Sequence, residues 1–259
     1  MNTSLPPESV LVQSLTKEYR GPQGEPFRAV DSLSFHAYPG RIYGLLGPNG
    51  AGKTTAFRML STLIPPTSGD AFVGGASIIR DSARVRRQIG FLTGTTGLYP
   101  RLTPREVVRY FARLYGLGKD ETEERIDLLF DRLDVIPFQH KRTGELSTGM
   151  TQKVSIARAI VHDPPVLIMD EPTTGLDVLA SQHIVEFILQ SREEGKCILF
   201  STHIMSEAER LCDEIAIIHH GKIIAAGTVD ALRNQTGESK VEDVFLAVLA
   251  EGDRETAAI

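Results

Sequence analysis

The first part of the chain has hydrophobic patterns that predict short β-strands. Val10–Leu15 is a mainly apolar segment, and Leu33–Ala37 places an apolar residue at every second position, the period of a strand. The loop Arg20–Pro26 separates these two segments, and a Pro39-Gly40 turn precedes a third apolar strand, Ile42–Leu46. We therefore expect the chain to begin with an antiparallel β layer.

The middle of the chain shows the period of amphipathic helices. Thr103-Pro-Arg-Glu106 is a capping box with proline at the first helical position. Its helix has an apolar stripe formed by Val107, Tyr110, Phe111 and Leu114. A second helix near Glu121–Leu133 is expected to bury Ile126, Leu129, Phe130 and Leu133. In a third helix the apolar positions are Met150, Val154, Ala157 and Val161.

The last part of the chain alternates between strands and helices. Four successive apolar residues before Asp170 fit a strand that is buried on both faces of a parallel sheet. The segments that follow are a helix Val178–Glu194, a strand Cys197–Ser201, a helix Met205–Cys212, and strands Glu214–His219 and Lys222–Ala226. We interpret residues 1–259 as one α/β domain, with a helical insertion at about 95–163 and a short C-terminal extension at about 228–259. In that extension Glu242–Ala250 is expected to be a helix and Gly252–Ile259 a loose tail.

Composition and charge narrow the possible partners. The net charge of −5 in 259 residues argues against nucleic acid as the main partner, since such proteins usually carry a basic surface. The cluster Arg84, Arg86 and Arg87 is interpreted as a solvated helix face. The longest apolar run, Val244–Ala250, has seven residues, and a membrane-spanning helix needs roughly 20. With no signal peptide and two cysteines without metal spacing, the chain is expected to be cytoplasmic, with reduced thiols at Cys197 and Cys212.

The segment Gly47–Thr55, which reads GPNGAGKTT, matches the phosphate-binding pattern G-x-x-x-x-G-K-[ST]. It follows an apolar strand and opens a predicted helix, Lys53–Thr62, which is the context that the pattern requires. Glycines allow successive backbone N–H groups to face phosphate oxygens. Lys53 is placed to reach the β- and γ-phosphates, and the Thr54 hydroxyl to bind Mg²⁺.

Acidic residues and a histidine follow two later strands. Asp170 ends a buried strand, where ligands bind in open α/β sheets, and suits a Mg²⁺ ligand. Glu171 is a candidate to polarise an attacking water. His203 follows the next strand, and two interpretations stay open: contact with a γ-phosphate, or a structural cap of the following helix.

The segment that begins with Ser147 and Gly149 resembles an anion site at a helix N-terminus, yet the phosphate loop lies about a hundred residues earlier. The hydroxyl and the glycine therefore suggest a second phosphate contact whose ligand is not evident from one chain.

In this order, GPNGAGKTT, LSTGM, VLIMDEP, TGLD (Thr174–Asp177) and STHIMSEAERLCD (Ser201–Asp213) resemble the nucleotide-binding subunits of ABC transporters. The resemblance extends from about Val10 to Ala226, and the later half is most similar to NatA-type ATP-binding subunits, associated with export of sodium or hydrophobic compounds. It implies a P-loop NTPase cassette with a RecA-like core, an N-terminal antiparallel β layer and a helical subdomain. It also implies ATP and Mg²⁺ as cofactors.

The resemblance implies a role for each matching residue. The phosphates of ATP would be surrounded by Gly47, Pro48, Asn49, Gly50, Ala51, Gly52, Lys53, Thr54 and Thr55. Thr54 and Asp170 would hold Mg²⁺, Glu171 would be the general base, and His203 would be the switch histidine. Tyr19 would stack on adenine, although a strand-end surface tyrosine is the alternative. Asp177 would lie at a dimer interface, and an N-cap role for the following helix is compatible with that.

The resemblance also indicates a ligand for the second anion site, at Ser147 and Gly149. ABC cassettes pack head to tail, so Ser147 and Gly149 would contact the ATP held by a second copy or a homologous cassette. Since the chain has no predicted membrane span, a separate permease is implied, which would place the protein on the inner face of the cell membrane. The surface that meets the permease is expected to be formed by the loop around Thr93–Thr96 and the Leu98–Pro104 segment.

Two departures from the family pattern are visible. The usual signature LSGGQ is replaced by a segment with Thr148 and Met150, while Ser147 and Gly149 are kept. A glutamine usual near position 94 is missing, because the stretch reads Thr93-Gly94-Thr95-Thr96. Two alternatives therefore stay open beside an exporter subunit: an ABC ATPase acting on nucleic acid or ribosomes, which the acidic charge disfavours, and a cassette that binds ATP without turnover.

Overall fold

Two β-sheets form the frame of the molecule in a computed structural model, which describes residues 9–21, 24–93 and 97–257 and the side chains up to Gly252. The strands are β1 (Val10–Arg20), β2 (Pro26–Ala37), β3 (Ile42–Leu46), β4 (Ser68–Val73), β5 (Ala76–Ser77), β6 (Ile89–Thr93), β7 (Val166–Asp170), β8 (Cys197–Thr202), β9 (Glu214–His219) and β10 (Lys222–Gly227). The helices are α1 (Lys53–Leu60), α2 (Ser82–Gln88), α3 (Pro104–Leu114), α4 (Lys119–Arg132), α5 (Thr148–Ile160), α6 (Val178–Glu193), α7 (Met205–Leu211), α8 (Val229–Thr236) and α9 (Val241–Ala257).

The first sheet is the expected antiparallel layer, with strand order β2-β1-β4-β5. The prediction was wrong for Ile42–Leu46, which belongs to the second sheet. All five of its residues are buried, so the segment suits a central parallel strand covered on both faces and not a layer with one exposed face.

The second sheet has the order β10-β9-β3-β8-β7-β6, and its strands are parallel except for β10, which pairs antiparallel with β9. The register aligns Leu46 with Thr202 and Asp170 with Ser201. The carboxyl ends of β3, β7 and β8 therefore meet at one edge, and this edge carries the phosphate loop and the acidic pair.

The helical block contains α3, α4 and α5, and its capping box is confirmed: the Thr103 side chain accepts from the Glu106 N–H, and the Glu106 carboxylate accepts from the Thr103 N–H. The predicted stripe of α3 was partly wrong, because Tyr110 and Leu114 are exposed and Val108 and Ala112 are buried instead. The buried face is rotated by about one residue since α3 packs against both α4 and α5. Tyr110 instead lies edge-on to Tyr99, with 6.4 Å between ring centroids.

The C-terminal extension is more ordered than expected. Helix α9 continues to Ala257, so the expected loose tail was wrong for residues 252–257; residues 258–259 lie outside the described part. Val244, Phe245 and Val248 are buried against Leu46 and neighbouring core residues, and this anchored face supports the following turns of the helix.

The arginine cluster and the two cysteines have the environments that the sequence predicted. Arg84, Arg86 and Arg87 are exposed on α2, as a solvated helix face requires. Cys197 and Cys212 are free, and burial raises the pKa of both thiols. Within the described residues, no helix is long and apolar enough to span a bilayer.

Candidate functional site

The phosphate loop connects the buried strand β3 to helix α1, and its glycines have steric reasons. A Cβ on Gly47 would lie 2.4 Å from the Ile218 carbonyl oxygen, so the loop can pass β9 only without a side chain. Gly52 has a φ of +112°, and a Cβ there would lie 2.4 Å from the Ala29 carbonyl oxygen. The loop therefore packs closely against the second sheet on one side and β2 on the other.

The N-terminus of α1 is suited to an anion. Its first turn holds no acidic residue, and Lys53 and Thr54 begin the helix directly after the loop. The Lys53 side chain is only 4% exposed, and its ammonium donates to the carbonyl oxygens of Gly47 (2.7 Å) and Pro48 (3.1 Å). The structure therefore fixes a positive charge at the base of the loop.

A serine that the sequence did not single out organises the acidic pair. The buried Ser201 hydroxyl donates to Asp170 Oδ1 at 2.7 Å and accepts from the Glu171 N–H at 3.0 Å. Glu171 has a φ of +49°, a left-handed conformation that is costly for a residue with a side chain. The two adjacent carboxylates therefore have different partners. Asp170 is hydrogen-bonded to Ser201 on the neighbouring strand, and Glu171 contacts Lys53.

Three groups surround the Glu171 carboxylate. Lys53 Nζ lies 3.3 Å from Oε1, His203 Nδ1 lies 3.2 Å from Oε2 without hydrogen-bond alignment, and the Thr174 hydroxyl donates to Oε2 at 3.2 Å. Partial burial, the largest influence, raises the pKa of Glu171, but the attraction and hydrogen bonds of these neighbours outweigh it. Its pKa therefore lies below the ordinary value, and the group is a carboxylate at neutral pH.

The structure decides against a helix-capping role for His203. The N-cap of α7 is Ile204, and the Thr202 hydroxyl, not the imidazole, accepts from the Ile204 N–H at 3.0 Å. The partly exposed His203 ring instead faces Glu171. The histidine therefore belongs to the same cluster as the carboxylate.

A cleft of about 350 Å³ joins the phosphate loop to the first sheet. Its lining includes the loop, Glu171 and two exposed aromatic rings, Tyr19 and Phe27, which are directly paired across β1 and β2. Sequence reasoning missed Phe27, although an aromatic residue immediately after the Arg20–Pro26 loop was a signal that could have found it. The cleft can hold a planar ring at one end and phosphates at the other.

The signature segment lies elsewhere. Ser147 is the exposed N-cap of α5, and its hydroxyl accepts from the Met150 N–H at 3.3 Å. A Cβ on Gly149 would lie 3.0 Å from the Ala180 Cβ, so the glycine allows α5 and α6 to approach. Among the described residues that line the cleft, neither Ser147 nor Gly149 is present. One chain thus does not bring its two anion sites together.

The expected N-cap role of Asp177 in α6 is confirmed: its carboxylate accepts a hydrogen bond from the Ala180 N–H at 2.8 Å. The next two side chains, Val178 and Leu179, are 82% and 72% exposed. This adjacent aliphatic pair offers apolar surface at the turn.

The donor set near the loop fits a hard cation. The Thr54 hydroxyl and the Asp170 carboxylate are oxygen donors at the same edge of the sheet, and Mg²⁺ usually takes one or two protein ligands plus phosphates and water. The described residues contain no cluster of three or more His, Cys, Asp or Glu that would form a complete protein site for a metal. The expected glutamine position cannot be compared, because Gly94, Thr95 and Thr96 lie outside the described residues.

Comparisons with known proteins give the relatives of the chain. The family model for ABC transporters matches residues 30–174. The chain is similar to the ABC transporter ATP-binding protein NatA of Bacillus subtilis (strain 168), with 42% identity over 226 residues, 87% of this chain and 92% of that protein. It is also similar to the Nod factor export ATP-binding protein I of Paraburkholderia xenovorans (strain LB400), with 42% identity over 78% of this chain and 67% of that protein.

A solved structure gives the likeness in three dimensions. The dimeric structure of an ATP-binding cassette in a post-hydrolysis state, bound to ADP and Pi, matches with a TM-score of 0.77 and 25% identity, covering 85% of this chain and 98% of that one.

Proposed function

Since the chain belongs to the ABC transporter family of ATP-binding proteins, we propose that it drives a separate membrane permease, as an exporter subunit, from a head-to-tail dimer. The chain is an ABC ATPase cassette, and the proposal concerns the residues, the partner and the direction of transport. The observation that carries it is the convergence of Lys53, Asp170, Glu171 and His203 at one sheet edge beside the cleft.

The roles within one chain follow from the contacts. The loop Gly47–Thr55, which includes Lys53, binds the phosphates of ATP. Tyr19 stacks on the adenine ring, and Phe27 lies beside it. Glu171 accepts a proton from the attacking water, which its ionised state at neutral pH permits. His203 orients Glu171 and contacts the γ-phosphate region.

Thr54 and Asp170 would hold Mg²⁺. The cation would neutralise charge on the β- and γ-phosphates when it is bound. The bond from Ser201 orients Asp170 for this purpose, in the way that outer-shell partners orient metal ligands.

The second anion site completes the nucleotide site of a partner cassette, a second copy or a homologue. Ser147 and Gly149 lie at a helix N-terminus without acidic residues in its first turn, which suits a γ-phosphate. Val178 and Leu179 supply apolar surface to the same interface, with Asp177 at its turn. ATP between the two cassettes then stabilises the dimer, and hydrolysis removes that bridge.

A groove between the core and the helical block is the proposed docking site for the permease. It has a volume of about 270 Å³ and is lined by Leu63, Phe91, Phe111, Tyr115 and Arg158, among others. Its apolar floor and the largely buried Arg158 guanidinium suit a short amphipathic segment with an acidic residue. This contact would place the cassette in the cytoplasm, on the inner face of the cell membrane. Export is supported by the similarity to the Nod factor export ATP-binding protein I.

Steady-state ATP hydrolysis tests the catalytic part. Glu171→Gln is expected to lower turnover by about 10²-fold or more, because the general base is lost while the shape is kept. Glu186→Gln, on the exposed side of α6, is the matched control and should retain wild-type turnover. Wild-type turnover no faster than that of Glu171→Gln would show that Glu171 is not the general base.

Recovery from membranes tests the transport part. Tagged protein from detergent-solubilised membranes of its native cell should retain a chain with several long apolar segments. Leu63→Asp should lower that recovery, and Ile79→Asp, similarly exposed but outside the groove, should not. Recovery of soluble proteins or nucleic acid only would favour an ABC ATPase that is not coupled to transport.

A further inference from the structure

The turn that joins β9 to β10 lies against the phosphate loop, although the two are far apart in sequence. His220 and Gly221 form a two-residue turn in which both φ angles are positive, +46° and +79°, and His219 pairs with Lys222 across it. This is the geometry of the turns that close tight hairpins, and glycine is favoured in them.

Gly221 makes two backbone hydrogen bonds, one to the phosphate loop and one to β2. Its N–H donates to the Ala51 carbonyl of the phosphate loop at 2.9 Å, and its carbonyl accepts from the Asp31 N–H of β2 at 2.8 Å. Lys222 Nζ lies 3.4 Å from the Asp31 carboxylate and supports the same junction. Gly221 therefore connects the phosphate loop to β2 by backbone hydrogen bonds.

The junction leaves no space for a side chain. A Cβ on Gly221 would lie 3.0 Å from the Ala29 carbonyl oxygen and 3.1 Å from the Val30 Cα, both backbone atoms. A Cβ on Gly52 would meet the same Ala29 oxygen and would lie 3.5 Å from the Gly221 Cα. A side chain at position 221 must therefore move the turn, β2 or both.

The two ends of the nucleotide cleft belong to different sheets. The phosphate end is the loop after β3, and the aromatic end is formed by Tyr19 and Phe27 on β1 and β2. Because β2 carries both Phe27 and the Ala29–Asp31 segment, a shift of the Gly221 junction changes the separation of the two ends. We infer that Gly221 is a positioning residue that sets the distance between the phosphate loop and the aromatic strand; the inference rests on the proposed ATP site.

Calorimetric titration with two ligands tests this role. ATP contacts both ends of the cleft, whereas inorganic tripolyphosphate contacts only the phosphate loop. Gly221→Ala is expected to weaken ATP binding by about 10-fold or more and tripolyphosphate binding by less than about 3-fold. Equal losses for both ligands, or unchanged ATP binding in the folded variant, would overturn the inference.

Gly237→Ala is the matched control for backbone strain. Gly237 has a φ of +76°, and a Cβ there would have no atom of the described residues within 4 Å, so the substitution adds similar strain away from the cleft. Its melting temperature should fall while both ligands bind as in the wild type. Should Gly221→Ala not fold, Lys222→Met takes its place, with ATP binding weakened by about 2-fold; unchanged ATP binding there counts against the inference. A wild type that binds no ATP would contradict the proposed function itself.

Discussion

Lys53 Nζ and Glu171 Oε1 lie 3.3 Å apart, one at the start of α1 and the other just beyond the end of β7. The lysine is nearly buried and also donates to two carbonyl oxygens of the phosphate loop. The proposed phosphate-binding cation thus contacts the proposed general base directly. Phosphate binding and the ionisation of the base are therefore coupled through one pair of charges.

Lys53→Met should strongly weaken ATP binding. The substitution deletes the charge that donates to the phosphates, and loss of one or two charge-assisted hydrogen bonds, each worth about 1.5–3 kcal/mol, should lower affinity by about 10²-fold. Fluorescence titration with a labelled ATP analogue measures this. Lys196→Met is the control, because Lys196 is also paired and mostly buried but contacts Asp163 away from the cleft. A similar loss in both variants would contradict a specific role for Lys53.

The pH dependence of kcat/KM should report Glu171. Its pKa lies below the ordinary value because Lys53 and His203 favour the carboxylate. Wild-type activity should therefore persist until the pH falls below the pKa of an ordinary glutamate. His203→Ala removes one of the neighbours that lower the pKa of Glu171, and it should move the acidic limb to higher pH. An unchanged limb in His203→Ala, with the fold intact by circular dichroism, would show that the pair is not coupled.

The local motifs were predictable because each is contiguous in sequence. The phosphate loop, the Asp170-Glu171 pair and the Asp177 cap need only a strand or a helix beside them, and the apolar patterns predicted those elements. Phe27, Ser201 and Gly221 were not found, since each acts through a neighbour brought by strand pairing: Tyr19 on β1, Asp170 on β7 and the phosphate loop. Sheet order is not contained in local periodicity.

The errors in the fold have the same origin. The periodicity of α3 is compatible with two faces, and only packing against α4 and α5 selects the one that holds Val108 and Ala112. Ile42–Leu46 has a strand pattern, yet its sheet depends on pairing with β8 and β9. The tail beyond Gly252 is helical because the preceding turns are anchored in the core.

The capping box of α3 gives a prediction about the stability of the helical block. Thr103→Ala removes a cap that bonds both to the Glu106 N–H and to its carboxylate, and we expect a loss of about 1 kcal/mol. Thermal unfolding followed by circular dichroism measures this. Thr148→Ala, at an exposed first-turn position of α5, should change the midpoint much less. Equal midpoints for the two variants would contradict the importance of the cap.

The exposed aliphatic pair after Asp177 gives a prediction about assembly. Leu179→Glu, made in the Glu171→Gln background to prevent turnover, should abolish ATP-dependent dimers, because a charge would be buried in the interface. Size-exclusion chromatography with light scattering measures the mass. Leu128→Glu is the control, since Leu128 is similarly exposed on α4. Dimers that persist with Leu179→Glu would place the interface elsewhere.

The central claim is that a site on one copy is completed by Ser147 of another, and mixing two inactive variants tests it most directly. Ser147→Asp keeps a good helix cap but places a negative charge against the phosphate. Lys53→Met weakens ATP binding by its own chain about 10²-fold. Equal mixtures should form about half mixed dimers, each with one intact site of two, and recover about a quarter of wild-type turnover. Turnover that stays at the level of the separate variants, in mixtures shown to contain mixed dimers, would contradict the account.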